Sequence, residues 1–577
     1  MNILGISGQE IDAAAALIKD GRVMAAIEEE KVARIRHIGM NYAGGLPYRA
    51  IEFCLERTGI TVDQIDAIAY YLEPEKLFHR EIAFHSSRAS HHATAFTSID
   101  AFPNYFVEGL NNLRQRNRTR RLAESLTSGR AKFITVDNQL AQAASTFYPS
   151  GFDRAAIMVI GNKGDMTSAS LLTGEGSRIL VESEASFPNS IVMVYGAVTA
   201  ALGFGASDSW HKTMWLSPTG DPEFADLFKD LLGVDGRGLP VVNLDYFDPS
   251  FRGGPVLSNR FFEAIGTGPR QKDAPLTQTH RNIAAGLQKR VDEVAGEVAR
   301  LLRERTGETN LCLAGSGALN SFTNAAIERA GGFDQIFVQP ASGNAGAAIG
   351  AALYVWHEQL GNRERVYKME HAFLGPQFGE EEIKSVLDNC KLEYEYHPTE
   401  DKLIQEAARL LAEGRIIGWF RGAMEFGPRT LGARSILASP MNEMMRDNLN
   451  IYIKRREDFR PFSAAVAEEM AEEFFEPSGL TNFLQGISRV KEGKRALVPA
   501  AVFGDGLVRV HTVSRRTNPA FWKLLTKFRE ITSVPVLLNT SFNLFGEPVV
   551  STPREAVRGF YCSGIDCLAI GNFLLKK

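Results

Sequence analysis

Three times in this chain a short apolar run ends in a glycine-bearing turn and opens into small residues: NILGISGQEIDAAAAL (2–17), LCLAGSGALN (311–320) and QIFVQPASGNAGAAIGAAL (335–353). This recurrence limits the fold more than anything else in the sequence. Glycine lets backbone turn tightly and brings N–H groups close to a ligand, and a helix N-terminus beyond such a turn favours an anion. The first run leads into a second strand, with Asp20–Gly21 as a hairpin turn. The other two read as strand, turn and helix. The expectation is an α/β chain built on several such units.

The remaining pattern agrees. Apolar periodicity predicts a helix over 45–59, strands over 65–72, 132–137, 155–161 and 168–174, a helix over 400–414, and strands over 415–420 and 534–542. The polar region 73–130, with His79, His85, His91 and His92, reads as helical and peripheral. A charged, turn-rich break near 360–375 places a boundary at about 368, giving domains 1–367 and 368–577. At 577 residues the chain is long enough for two or three domains. Its net charge of −4 speaks against nucleic acid or an anionic membrane as a partner. No apolar run is long enough to span a bilayer. The five cysteines lack metal-type spacing and read as reduced thiols, so a cytoplasmic enzyme is expected.

VDNQLAQAASTFYPSGF (136–152) poses a problem. Asn138 and Gln142 stand four apart, hence on one helix face. That spacing suits a two-histidine metal site, yet both positions hold neutral carboxamides.

The glycine turns, taken in order, are similar to those of the actin-like ATPase fold, in which two α/β halves flank a cleft. The resemblance sharpens with GISGQEIDAAAAL, AIEEEKVARIRH, QAASTFYPSGF, WHKTMWLSPTGDP, GWFRGAMEFGPRTLGARSILASP, IKRREDFRPF and PVLLNTSFNLFGEPVVSTPREA. Together these resemble the O-carbamoyltransferases that modify nodulation factors and antibiotics, over nearly the whole chain. The resemblance implies an actin-like (ASKHA) two-lobed N-terminal domain followed by a smaller α/β, YrdC-like domain. It implies that the second domain makes carbamoyl adenylate from ATP and carbamoyl phosphate, with Mg2+, and that the first transfers the carbamoyl group to a small-molecule hydroxyl or amine.

Site residues follow from the same resemblance. Lys454 and Arg456 match a KxR signature and Ser541 and Asn543 an SxN signature; read as a strand, 454 and 456 would face one way. Arg429 and Arg434 would steady the leaving pyrophosphate. Asp12 and His37 stand at family positions, as does Lys212. Gly315, Gly317, Asn320 and Gly343 belong to the glycine loops. The family's metal is held by HxxxH histidines and a loop aspartate. Here those positions are Asn138, Gln142 and Asn344, so no tightly bound iron or zinc is expected, and the three amides would form a polar network instead. Ile160 replaces another family aspartate, Glu10 a histidine, and Trp215 a glycine. Two functional readings stay open: an enzyme with altered metal dependence, or a pseudo-transferase or partner subunit. A homo-oligomer or a metal-bearing paralogue would fit as partner. A sugar kinase of the same fold is disfavoured by Ile160, and a Walker NTPase by the absence of a P-loop.

Overall fold

The computed structural model describes residues 1–81, 110, 113–115, 117–205, 209–248 and 256–577. His79 is exposed on a helical turn, while His85, His91 and His92 lie outside the described residues. The chain divides into two compact units. The first holds Met1–Glu29 and His37–Lys368, the second Glu30–Arg36 and Met369–Lys577.

The first unit contains one topology twice. β1 (Asn2–Ser7), β2 (Ala14–Lys19) and β3 (Arg22–Glu28) form an antiparallel meander; β4 (Ala67–Tyr70) and β5 (Lys132–Thr135) then add in parallel, in the order β3-β2-β1-β4-β5. β6 (Arg154–Ile160), β7 (Thr167–Glu175) and β8 (Arg178–Ser186) repeat the meander. β11 (Asn310–Ala314) and β12 (Gln335–Val338) repeat the parallel extension, in the order β12-β11-β6-β7-β8. A small hairpin of β9 (Leu232–Val234) and β10 (Pro240–Val242) lies between them in sequence. This duplicated sheet is the actin-like fold. The β2–β3 turn has positive φ at both Asp20 (48°) and Gly21 (78°), the twist that a two-residue hairpin needs.

Small residues decide the packing of the first unit. A side chain at Gly5 would place its Cβ 1.9 Å from the Ala348 carbonyl oxygen, and one at Gly350 would come within 1.7 Å of that of Ala141. The helix Asn344–Tyr354 therefore touches β1 on one side and the helix Asn138–Ser150 on the other, backbone against backbone. The run NAGAAIGAAL is what permits both contacts.

The second unit is α/β around one mixed nine-stranded sheet, ordered β13-β21-β20-β14-β15-β19-β16-β18-β17. Its strands are β13 (Glu395–Tyr396), β14 (Ile417–Phe420), β15 (Arg434–Ala438), β16 (Ser463–Ala467), β17 (Ser488–Arg489), β18 (Leu507–Val513), β19 (Val536–Ser541), β20 (Cys567–Ile570) and β21 (Phe573–Lys576). The helices Glu400–Ala412 and Pro519–Thr532 pack against each other, and Leu403, Leu411, Phe521 and Phe528 sit in a continuous apolar core. Among the described residues no helix is long and apolar enough to cross a membrane.

Candidate functional site

In the second unit the predicted signatures meet. β19 ends at Ser541, and the chain turns at once through Asn543. The strand expected at Lys454 is absent: the lysine ends a π-helical stretch, Asn448–Lys454, and Arg455 then takes a left-handed φ of 44°. The alternating apolar residues of IYIK imitate a strand locally, but the wide turn is what delivers the lysine. Its Nζ donates to Ser541 O (2.7 Å), Ser541 Oγ (3.2 Å), Asn543 O (3.0 Å) and Asn543 Oδ1 (2.5 Å). Ser541 Oγ also donates to Asn543 Oδ1 at 2.7 Å, and Asn543 Nδ2 to Glu547 O at 2.7 Å. The lysine thus fixes the shape of the SxN turn.

Cations crowd around it. Arg456 donates from Nε to Asn450 Oδ1 (2.7 Å), and its guanidinium lies 4.6 Å from the centre of the Phe462 ring. Burial, then the charges of Arg456, Arg460 and Arg36, push the Lys454 ammonium well below its ordinary value. Burial and the Arg460 charge do the same to Arg456. Arg509, on β18, is lowered by burial and by Arg429, Arg456 and Arg460. Arg429 is pushed down to about 10 by burial and by Arg460. Glu457 is the acid that opposes this crowding at Arg456 and Arg460. Like charges held together out of water are costly, and a bound polyanion would relieve the cost. His511, pushed down to about 3 by burial and by Arg509, stays neutral and donates no charge.

Arg434 requires a correction. It was expected to face pyrophosphate, but it is fully buried on β15 with its guanidinium 3.7 Å from the Phe420 ring centre. It donates to the carbonyls of Arg421 (3.1 Å), Gly422 (3.0 Å), Ala433 (3.1 Å) and Pro376 (2.8 Å). It holds backbone together and does not serve an open site.

In the first unit His37 Nδ1 lies 2.7 Å from Asp12 Oδ1, and both residues have left-handed φ (53° and 54°). A strained pair of this kind fixes an imidazole's orientation and tautomer. The glycine loops are tight. A Cβ at Gly315 (φ 87°) would lie 2.3 Å from Ile160 O, and one at Gly317 would lie 2.5 Å from the Ile160 side chain. Gly343 (φ 101°) precedes the helix that begins at Asn344. Asn320 is spent on structure. Its Oδ1 caps Phe322 N (3.1 Å) and Thr323 N (3.2 Å), and its Nδ2 donates to Gln288 Oε1 (3.0 Å). Lys212 lies over the Phe204 ring at 5.7 Å, and Trp215 is buried edge-on to Phe322.

The expected amide network does not form. Asn344 Nδ2 donates to Ile11 O at 3.1 Å, and among the described residues no hydrogen bond joins the side chains of Asn138, Gln142 and Asn344. Gln142 Oε1 is buried without a partner. Asn138 is buried, its backbone N–H donating 2.9 Å to the wholly buried Asp165. Three neutral amides do not fit a transition metal, which takes imidazole, thiolate or carboxylate.

The comparisons with known proteins decide the family. Residues 2–353 match the model described as Carbamoyltransferase N-terminus, and residues 408–577 that described as Carbamoyltransferase C-terminus. The chain belongs to the carbamoyltransferase family. Among similar proteins is an uncharacterised protein of Synechocystis, 35% identical over 100% of this chain and 97% of that protein. The nodulation protein NolNO of Sinorhizobium fredii is 37% identical over 98% of this chain and 79% of its own length. The nodulation protein NolO of Bradyrhizobium diazoefficiens is 38% identical over 77% and 79%. This carbamoyltransferase-family chain is therefore a transferase by kinship. What its sequence concealed is part of the company of the IKRREDFRPF segment: Arg36 acts on Lys454 and Arg509 on Arg456 and Arg460, both from distant segments, and no local motif announces either.

Proposed function

We propose that the second unit makes carbamoyl adenylate and that the first passes its carbamoyl group to a small-molecule hydroxyl or amine. The observation that carries this reading is the cation cluster around the Lys454–Ser541–Asn543 turn. Carbamoyl phosphate loses phosphate to water, and the carbamate oxygen attacks the α-phosphorus of Mg2+-bound ATP. The bond to the β-phosphate oxygen breaks, and pyrophosphate leaves with its charge held by Arg429, Arg456, Arg460 and Arg509. Ser541 and Asn543, fixed by Lys454, would orient the carbamate. In the first unit Asp12 would orient His37 as the base for the acceptor. A mixed anhydride is already activated, which suits a site whose amides offer no Lewis acid. KxR and SxN mark the reading of the second unit as YrdC-like.

A second reading has its own support. With amides at 138, 142 and 344, the chain would supply adenylate to a metal-bearing relative without itself completing transfer. The first experiment measures pyrophosphate release from ATP, with magnesium, with and without carbamoyl phosphate. Release that depends on carbamoyl phosphate supports the adenylate reading; no release from well-folded protein removes it. Product analysis with candidate acceptors, in the chain alone, then separates transfer from supply.

A further inference from the structure

Seven residues near the N-terminus, Glu30–Arg36, belong to the second unit although the chain before and after them belongs to the first. They hold it by polar contacts, buried at Lys31 and half-buried at Arg34. Lys31, 2% exposed, donates from Nζ to Glu425 O (2.8 Å) and Gly427 O (2.9 Å). Arg34, with a left-handed φ of 63°, donates from Nη1 to Val549 O (2.5 Å) and from Nη2 to Pro548 O (2.9 Å). Its guanidinium also lies 3.2 Å from the Glu555 carboxylate.

The two grips fall on the two loops that matter. Glu425 and Gly427 belong to the loop that carries Arg429. The same loop is held from within, where the Glu425 carboxylate accepts from Leu431 N (2.7 Å) and Ala433 N (2.8 Å). Pro548 and Val549 end the turn that starts at Ser541 and Asn543. Each grip uses a charged donor on backbone carbonyls, a bond stronger and more directional than an apolar contact. The positive charge beside the site is costly without an anion, so packing alone does not account for cations here. Arg36, at the end of the strap, is exposed, and its charge acts on both Lys454 and Arg460.

We propose that Glu30–Arg36 is a working part of the second unit's polyphosphate site. Lys31 and Arg34 are positioning residues that set the separation of the Arg429 loop from the Ser541–Asn543 turn, and Arg36 adds a cation for the phosphates. The ligand class is a nucleoside triphosphate or pyrophosphate. The inference rests on the polyanion reading of the second unit, but it assigns the site to a segment that lies far from it in sequence.

Calorimetric titration of the full chain with inorganic pyrophosphate tests it, because this probe does not depend on the acid that is activated. Arg36→Gln, a change at an exposed position, should raise Kd about tenfold and flatten its dependence on salt. Lys31→Met and Arg34→Met should each raise Kd about tenfold, and the double variant should lose less than the product of the two, since both serve one spacing. Lys31→Arg, which keeps charged donors, should recover most of the affinity. Wild-type protein that binds pyrophosphate while the folded variants bind it equally well would overturn the strap's role and leave the polyanion site standing. Wild-type protein that does not bind would overturn both. Should the Lys31 and Arg34 variants fail to fold, Arg36→Gln alone decides.

Discussion

Lys454 ties the Ser541–Asn543 turn together through four acceptors, so the proposed adenylation depends on it. Methionine there keeps the stem and removes every bond to the SxN turn. Lys454→Met should lower carbamoyl-phosphate-dependent pyrophosphate release about a hundredfold or more, and a rate within threefold of wild type would sink its assignment. Asp292 offers a test of another kind. Gln288 Nε2 donates to it at 2.7 Å and Thr323 Oγ1 at 3.0 Å, yet burial pushes its carboxyl up from 3.8 to about 7. A carboxyl raised on folding stabilises the protein fully below its unfolded value, and that stability is lost as pH rises through about 7. Asp292→Asn should therefore flatten the fall of Tm as pH rises from about 4 to about 7; parallel Tm profiles for the two proteins would rule it out. Residue scale is also where the sequence misled. Arg429 and Arg434 share one motif, and only the fold shows that the first joins the cations while the second turns into the core at the start of β15. A motif fixes spacing along the chain, not the face on which a side chain falls.

Elements show why the glycine turns were legible and the site was not. Turns, caps and small-residue runs act over a few residues, so the strand–turn–helix units and the helices Asn138–Ser150 and Asn344–Tyr354 could be expected from local pattern, whereas the doubling of the sheet came only through the family resemblance. The contact between these two helices is bare backbone. Gly350→Ala puts a methyl group 1.7 Å from Ala141 O and should cost about 3 kcal/mol or more, read by urea denaturation; a cost under about 1 kcal/mol would mean that the helices slide apart freely. Asn138 and Gln142 still share a helix face, so combining Asn138→His, Gln142→His and Asn344→Asp should bring stoichiometric zinc into purified protein, measured by elemental mass spectrometry. If no zinc binds, the backbone has moved as well as the ligands. The anticipated amide network failed for a reason that spacing cannot reveal: Asn344 has a nearer acceptor in Ile11 O.

At the scale of the whole molecule, the second unit's cation cluster draws on residue 36, residue 429, residues 454–460 and residue 509, which no window of sequence contains. Reading along the chain finds the KxR and SxN pieces because each is short; it cannot find a cluster whose members meet only through tertiary structure. The strap Glu30–Arg36 is the extreme case. Lys31, at 2% exposure, should stay unmodified under brief acetylation of the native full chain while exposed lysines react, as peptide mass mapping would show; modification at the rate of surface lysines would deny its burial. Its order of manufacture has a further consequence. Lys31 leaves the ribosome early, but the carbonyls it grips are encoded 394 and 396 residues later. At about 5–20 residues per second, the strap waits roughly 20–80 seconds for its seat to be synthesised. A waiting segment rich in lysine and arginine stays hydrated and gives aggregation nothing to seize. An apolar strap of the same length would have spent that interval as a hazard to the nascent chain.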